Sequence, residues 1–232
     1  MIINVNEIDM HYEDVGEGST IIFLHGNSQD MSMFSDAVGY FKKGYRCITI
    51  DSRGHGSSGW GTKELTIPLL ADDVIKFIEA KDLNDVTLIG FSDGGNIALE
   101  AASSSERIKD IIIVGANLYP KGLTAFTRIS VKIVRALCLP FSFIPSVGRA
   151  RRRYRLISHQ PPITDEKLSK IKARTLVIAG TKDMIKTAHT EEIYNKISHA
   201  SLKLFEGRGH FLFVSVPDEL FRTISEFMKS RP

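Results

Sequence analysis

The sequence has few of the features that mark secreted, metal-binding or membrane-spanning proteins. It contains 232 residues and only two cysteines, Cys47 and Cys138, whose spacing fits neither a disulfide framework nor a metal site. We therefore expect both thiols to be buried as small apolar side chains. No apolar run approaches the roughly 20 residues that a membrane-spanning helix requires. Residues 1–6 lack the basic and apolar stretches of a signal peptide, so we expect a cytoplasmic protein.

The composition is that of an ordinary globular protein, but the charge is unevenly distributed. Hydrophobic residues make up 43% of the chain and aromatic residues 9%, and this length suits one core in a single α/β domain. The formal net charge is +3, yet residues 117–170 contain eleven Lys and Arg residues against two acidic ones. That stretch carries about +9, which leaves about −6 for the rest of the chain.

Apolar strand patterns and amphipathic helix patterns alternate along most of the chain. Residues 20–24 form an apolar run after Thr20, and residues 108–114 end in one over positions 111–114, which is typical of strands buried on both faces. Residues 67–80 place apolar side chains at the spacing of an amphipathic helix. Parallel strands need crossover connections, which helices supply. We predict an α/β fold in which a mostly parallel central sheet of about eight strands has helices on both faces and a short helical cap.

The alternation breaks in one internal stretch, where residues 129–137 and 149–157 have helical patterns of their own. We interpret this stretch as an insertion over one edge of the sheet. In open α/β sheets ligands bind at the carboxyl ends of the strands, where the polar clusters described below fall. We therefore expect a single domain in two parts: a core of residues 1–117 and 171–232, and a cap segment of residues 118–170.

The most informative motif joins a predicted strand to a predicted helix. Gly90-Phe91-Ser92-Asp93-Gly94 follows an apolar run and precedes a helical pattern over residues 96–102. Glycines two residues before and after a serine permit a turn so tight that larger side chains would collide. The serine hydroxyl then projects above the sheet beside the positive end of the helix, which favours developing negative charge. We predict that Ser92 is a nucleophile.

A serine nucleophile needs a general base, and His210 is the best candidate among seven histidines. It lies in a glycine-flanked loop directly after a strand, where its side chain can reach over the sheet edge. His25 and His55 also follow strands and remain alternatives, although His25 fits better as a residue that fixes its own loop. We expect the remaining four histidines to be solvated: His11, His159, His189 and His199.

Asp183 is the candidate for the third catalytic group. It follows a predicted strand in a Gly-x-x-Asp pattern and comes after Ser92 and before His210 in the chain. A carboxylate in this position would hold the imidazole tautomer and stabilise the imidazolium that forms. The alternative is that Asp183 caps the following helix.

The order Ser, Asp, His with a Gly-x-Ser-x-Gly turn resembles the α/β-hydrolase superfamily, serine hydrolase and esterase type. Five motifs carry the resemblance and cover most of the chain outside the cap segment: Leu24-His25-Gly26-Asn27, Asp51-x-Arg53-Gly54-x-Gly56-x-Ser58, Gly90-Phe91-Ser92-Asp93-Gly94-Gly95, Gly180-x-x-Asp183 and Gly209-His210. The resemblance implies acyl transfer through an acyl-enzyme, with no metal or organic cofactor. It also implies an oxyanion hole formed by the backbone N–H groups of Asn27 and Asp93.

The sequence Ser92-Asp93-Gly94-Gly95, with Asn117 after the next strand, is further similar to the valacyclovir-hydrolase-like α-amino-ester hydrolases. In that group the acidic residue after the nucleophile receives the substrate ammonium. The resemblance implies that Asp93 is also a substrate-binding carboxylate. The alternative is that the Asp93 side chain only forms hydrogen bonds within the turn.

The partner expected from these features is a small-molecule ester. The basic residues of the cap segment favour anionic ligands or surfaces by long-range attraction, while the alternative is an ordinary solvated helix face. Nucleic-acid binding is not expected, because the rest of the chain is acidic. Two further readings stay open: the same fold could cleave C–C bonds or thioesters, or the chain could be a slow-turnover receptor that retains the triad.

Overall fold

The computed structural model describes residues 1–230 and contains an eight-stranded sheet with the order β1-β2-β4-β3-β5-β6-β7-β8. β1 pairs with β2 and β2 pairs with β4 in antiparallel fashion, and the remaining neighbours are parallel. The strands are β1 (Ile2–Val5), β2 (Ile8–Val15), β3 (Thr20–Leu24), β4 (Arg46–Ile50), β5 (Val86–Phe91), β6 (Ile108–Val114), β7 (Arg174–Gly180) and β8 (Ala200–Phe205).

Nine α-helices and two short 3-10 helices connect these strands within residues 1–230. None of these helices has the length and apolar character needed to cross a bilayer. The 3-10 helices span Met31–Phe34 and Pro120–Gly122. The α-helices are α1 (Ser35–Phe41), α2 (Ile67–Ala80), α3 (Asp93–Ala102), α4 (Ala125–Cys138), α5 (Pro145–His159), α6 (Asp165–Ser169), α7 (Thr187–Lys196), α8 (Leu212–Ser215) and α9 (Pro217–Lys229).

Two apolar cores cover the two faces of the sheet. Within β3, Ile22 and Leu24 face the core beneath α2 and α3, whereas Ile21 and Phe23 face the core beneath α1 and α9. Successive side chains of a strand point to opposite faces, so a strand covered on both sides must be apolar at every position. The predicted mostly parallel sheet with helices on both faces is confirmed.

A buried ion pair fixes the loop that follows β4. The Nε and Nη2 atoms of Arg53 each donate to the Asp73 carboxylate at 2.7 Å, and Nη2 also donates to the Asn6 carbonyl at 2.9 Å. Both side chains are almost completely buried. Two-point contact between a guanidinium and a carboxylate sets orientation as well as distance. The pair thereby ties the loop to α2 and to the hairpin of β1 and β2.

The cap segment differs from the sequence prediction in its details. α4 begins at Ala125, where the Thr124 side chain accepts a hydrogen bond from the Thr127 backbone N–H. α5 begins at Pro145, at a position where a missing N–H is tolerated. Both helices are therefore longer than their apolar patterns indicated. Cys47 is buried as expected, but Cys138 at the end of α4 is only partly buried, so that expectation was wrong.

Candidate active site

Ser92 stands on a sharp turn between β5 and α3. Its backbone has φ 54° and ψ −118°, in a left-handed region that non-glycine residues rarely occupy. A Cβ atom added to Gly90 would overlap the Gly94 carbonyl, and one added to Gly94 would overlap the Leu24 carbonyl. The glycines thus permit β5, α3 and the end of β3 to meet in a space that no other residue type could fill.

The turn holds Ser92 at the start of α3 with its hydroxyl free. The Ser92 backbone N–H donates to the Val114 carbonyl at 2.8 Å, and the Ser92 carbonyl accepts from the N–H of Gly95 at 2.9 Å. Within residues 1–230 the Ser92 hydroxyl forms no hydrogen bond, and the residue is half-buried. Its Oγ is therefore available to an incoming group.

His210 and Asp183 form a buried pair at the same edge of the sheet. His210 Nδ1 lies 2.7 Å from Asp183 Oδ1, which also accepts from the Ile185 N–H at 2.9 Å. Gly115 packs against the imidazole, since a Cβ added there would come within 2.8 Å of His210 Nδ1. Asp183 does not cap α7, because that helix begins at Thr187 with Lys186 at the capping position.

A cavity of about 280 Å³ brings Ser92 and His210 together. Its wall comes from strand-end loops, from the cap segment and from the loop after β7. Its lining is mostly apolar, and it contains Asp93 as the only acidic residue and no Lys or Arg. The lining residues are Asn27, Ser28, Gln29, Phe91, Ser92, Asp93, Asn117, Leu123, Thr127, Val131, Tyr154, Ile157, Met184, His210 and Phe211.

Asn27 connects three parts of the cavity wall. Its Nδ2 donates to Asp93 Oδ2 at 2.9 Å and to the Arg153 carbonyl at 3.0 Å. The loop after β3, the turn after β5 and helix α5 are thus held by one side chain. In the part of the chain that the structure describes, the backbone N–H groups of Asn27 and Asp93 have no hydrogen-bond acceptor.

Asp93 is a buried carboxylate with amide partners. Asn27 donates to it as described above, and Asn96 Nδ2 donates to its Oδ1 at 3.3 Å. Burial raises the pKa of the Asp93 carboxyl, while the hydrogen bond from Asn27 acts in the opposite direction. No Lys or Arg within residues 1–230 forms an ion pair with Asp93. A cationic group placed beside Asp93 would favour its ionised form, since no Lys or Arg there already does so.

A cluster of amides behind Asp93 was not identified from the sequence. Asn96 is fully buried, and its Nδ2 lies 3.3 Å from Asn117 Oδ1 and from Gln160 Oε1. The Asn117 N–H donates to Asn96 Oδ1 at 2.7 Å. Asn96 is recognisable only as a polar residue before the apolar part of α3, and nothing local indicates that Gln160 of the cap segment reaches it.

The two alternative histidines serve the loops rather than Ser92. His25 Nδ1 donates to the Gly26 carbonyl at 2.8 Å, and its Nε2 accepts from the Ser52 N–H at 3.0 Å. His55 Nδ1 donates to the Arg53 carbonyl at 3.0 Å, and burial lowers the pKa of His55 to about 3. Both rings lie outside the cavity lining.

One expectation about the remaining histidines was wrong. His189 is buried, although its sequence neighbours are polar. Its Nε2 accepts from the Leu118 N–H at 2.9 Å, and its Nδ1 donates to Glu192 Oε2 at 2.9 Å. His159 and His199 are exposed as expected, and His11 is half-buried near Asp51.

Other regions of the described chain do not compete with this site. A larger concavity of about 680 Å³ lies between residues 102–109 and 169–173, at the amino ends of β6 and β7. It is therefore at the opposite edge of the sheet from Ser92. Within residues 1–230 no group of three or more His, Cys, Asp or Glu residues is arranged to hold a metal ion.

Comparison with known proteins identifies the class to which this architecture belongs. The sequence profile of the alpha/beta hydrolase family matches residues 21–223. The chain is 28% identical over 259 residues to the AB hydrolase superfamily protein YisY of Bacillus subtilis, with 96% of each chain covered. It is 24% identical to the human serine hydrolase BPHL, over 98% of this chain and 85% of that protein.

A solved structure shows the same fold. The esterase EaEST from Exiguobacterium antarcticum superimposes with a TM-score of 0.82 at 24% identity, covering 99% of this chain and 98% of that one. Because the family profile spans most of the sequence, the chain belongs to the alpha/beta hydrolase family. Membership of this family supports hydrolase activity.

The tight turn at Ser92 generates a stability prediction. We expect Gly90→Ala to lower the free energy of unfolding by about 2–3 kcal/mol, because the new methyl group would overlap the Gly94 carbonyl. Gly39→Ala is the matched control: Gly39 lies within α1, and a Cβ added there meets no atom within 4 Å. That substitution should raise the free energy of unfolding by about 0.5–1 kcal/mol. Equal denaturation curves for the two variants would contradict the account of the turn.

Proposed function

We propose that this protein is a serine hydrolase that cleaves carboxylic esters through Ser92, His210 and Asp183. The observation that carries the proposal is the shared cavity, which is lined both by a serine with a free hydroxyl on a tight turn and by an imidazole that a buried carboxylate orients. A serine needs a base, and the base needs an orienting group. The nucleophile, the base and the orienting group each have one candidate residue at this edge of the sheet.

The proposed reaction has two steps. Ser92 Oγ attacks the ester carbonyl while His210 Nε2 accepts its proton, and the same imidazole then protonates the departing alcohol. Water next attacks the acyl-enzyme with His210 as the base, which releases the acid and restores Ser92. Asp183 holds Nδ1 and stabilises the imidazolium.

The oxyanion of each tetrahedral intermediate would be held by backbone N–H groups. The N–H groups of Asn27 and Asp93 belong to residues that line the cavity and have no acceptor within residues 1–230, which supports this assignment. Donors of this kind contribute about 3 kcal/mol each to transition-state stabilisation. The start of α3 adds a partial positive charge on the same side.

The cavity favours a small substrate without negative charge. Its volume of about 280 Å³ is just below the range of about 300–1,000 Å³ that is usual for small-molecule sites. Leu123, Val131 and Ile157 of the cap segment supply apolar surface for an acyl or alcohol group. The absence of Lys and Arg from this lining gives no support for an anionic ligand in the cavity.

A more specific proposal is that the substrate carries an ammonium group. Asp93 is buried beside Ser92, has only amide partners and lines the cavity, so a cationic group could approach it. The Ser92-Asp93-Gly94-Gly95 sequence resembles α-amino-ester hydrolases at the same point. The two interpretations of Asp93 are compatible, because a carboxylate can accept hydrogen bonds from Asn27 and Asn96 and still bind an ammonium.

Other activities of the same fold remain alternatives to ester hydrolysis. C–C bond or thioester cleavage would use the same three residues, and a slow-turnover receptor would retain them without rapid release of product. The cytoplasmic location and the expectation that nucleic acid is not a partner stay predictions.

The roles of the three residues can be tested with a series of p-nitrophenyl esters from acetyl to decanoyl. We expect Ser92→Ala to reduce kcat to the background rate, and Asp183→Asn to reduce it by about a thousandfold or more, because the imidazole would lose its orientation. Asp36→Asn is the control, since Asp36 is exposed on α1. Wild-type turnover by Asp183→Asn would remove this residue from the mechanism. Undiminished turnover by Ser92→Ala would overturn the whole assignment.

The role of Asp93 as an ammonium-binding group makes a separate prediction. Asp93→Asn keeps the backbone N–H and similar size but removes the negative charge. We expect KM for aminoacyl esters to rise about tenfold or more, while KM for the matching acyl esters changes little, because charged hydrogen bonds contribute about 1.5–3 kcal/mol. The measurement is the ratio of the two KM values in wild type and variant. A parallel change for both substrates would show that Asp93 acts only within the turn.

A further inference from the structure

The outer surface of the cap segment carries most of the large apolar side chains that are exposed in the described part of the chain. Fourteen such side chains are exposed, and eight of them fall between positions 126 and 144. Large contiguous apolar patches are uncommon on monomeric proteins and mark sites of interaction. The eight residues, here called the apolar cap face, are Phe126, Ile129, Ile133, Leu137, Leu139, Phe141, Phe143 and Ile144.

The first four of these residues form a single stripe along α4. Their spacing of three, four and four residues places them on one side of a helix. Phe126 is 82% exposed and Leu137 is 66% exposed. Thr127 and Val131, on the other side of the helix, line the active-site cavity. The stripe is therefore turned away from the protein interior, and it cannot be the side by which α4 packs on the core.

The segment after α4 continues the same character. Leu139, Phe141, Phe143 and Ile144 are exposed in the connection between α4 and α5, and Phe143 is 80% exposed. α4 has 14 residues, which is too short to span a bilayer. An apolar stripe on a short helix with a cationic border is the arrangement of a helix that lies in a membrane interface.

The charge around the apolar cap face is basic and largely unpaired. Nine Lys and Arg residues lie between positions 121 and 155, and within residues 1–230 only Arg155 forms an ion pair with a carboxylate, that of Glu64. Arg152 and Arg153 lie over the Trp60 ring and donate to the Lys63 and Gly54 carbonyls, so these two are not counted as free charges. Lys132, which is exposed, directly precedes Ile133 of the apolar stripe and so borders it. The two acidic residues of the cap segment already pair with Lys170 and Lys196.

Several of these cations lie close to one another. Arg135 donates to Ser158 Oγ at 2.8 Å, which draws α4 and α5 together. Burial lowers the pKa of Arg135, and the positive charges of Arg151 and Arg155 act in the same direction. The positive charges of these arginines repel each other, so an external anion would stabilise the packing of α4 against α5.

We propose that the apolar cap face docks on an anionic lipid bilayer surface, with its aromatic and aliphatic side chains in the interface and the basic residues against the headgroups. Charge complementarity selects this occupant. A second copy of the chain would bring two basic surfaces together, and a nucleic acid would leave the apolar side chains without a partner. An anionic bilayer satisfies both the apolar and the basic groups.

Cosedimentation with lipid vesicles tests the proposal on the full chain. We expect binding to vesicles of phosphatidylcholine with phosphatidylglycerol to be about tenfold or more tighter than to phosphatidylcholine alone, and to weaken as NaCl is raised. The double variant Phe126→Ser and Phe143→Ser should bind anionic vesicles about tenfold more weakly. Lys132→Glu should weaken binding at low salt and have less effect at high salt.

Matched controls separate the apolar cap face from general surface properties. Ile2→Ser removes an apolar side chain that is 68% exposed on β1, and Lys43→Glu reverses an exposed positive charge after α1. Both controls should bind vesicles as the wild type does. Phe126, Phe143 and Lys132 are all exposed, so the thermal unfolding temperatures of the variants should remain close to that of the wild type.

Three outcomes would overturn the proposal. Wild-type protein that fails to sediment with anionic vesicles would exclude a bilayer as the occupant. Equal loss of binding in the control variants would mean that this face is not the binding surface. A concentration-dependent dimer in light scattering that the Phe126 and Phe143 substitutions abolish, without vesicle binding, would assign the face to a second copy of the chain.

Discussion

The close approach of three backbones beneath Ser92 is the constraint on which the site depends. Gly94 lies against the Leu24 carbonyl and Gly90 lies against Gly94, so the end of β3, the end of β5 and the start of α3 share one point. This contact forces the left-handed conformation of Ser92 and frees its hydroxyl. It also places Asn27, which follows β3, within hydrogen-bond distance of the Asp93 side chain. The proposed nucleophile, two free backbone N–H groups and a buried acid therefore follow from one packing requirement.

Parallel strand order assembles the rest of the site from distant parts of the chain. β6 and β7 are neighbours, so the loops that carry Gly115 and Asp183 lie side by side. β8 is the next strand, and the loop after it brings His210 over Gly115 to the Asp183 carboxylate. Each residue follows the carboxyl end of its strand, where the field of ordered peptide groups and the open edge favour ligand binding. The proposed catalytic order is thus a consequence of sheet topology.

Much of this arrangement could be predicted from the sequence because its signals are local. Continuous apolar runs indicated buried strands, and the glycine spacing around Ser92 indicated the turn. Contacts between residues that are far apart in the sequence could not be predicted, because no local pattern indicates them. The buried His189 accepts a hydrogen bond from the Leu118 N–H, which is far away in the sequence. Likewise, Gln160 of the cap segment accepts from Asn96, and Asn27 donates to the Arg153 carbonyl. The cap helices were predicted too short because the N-terminal turn of α4 was not assigned to its helix, although Phe126 continues the apolar spacing of Ile129 and Ile133, and because Pro145 was not taken as the start of α5.

The central claim is that Ser92 becomes covalently acylated with the help of His210. Its most direct test is reaction with an alkyl fluorophosphonate, in which a Ser92 Oγ–P bond forms and fluoride leaves, followed by intact-protein mass spectrometry and peptide mapping. We predict one phosphonyl group per chain, located on Ser92, with labelling abolished in Ser92→Ala and greatly slowed in His210→Ala. A wild-type protein that stays unlabelled, or a label on another residue that persists in Ser92→Ala, would contradict it.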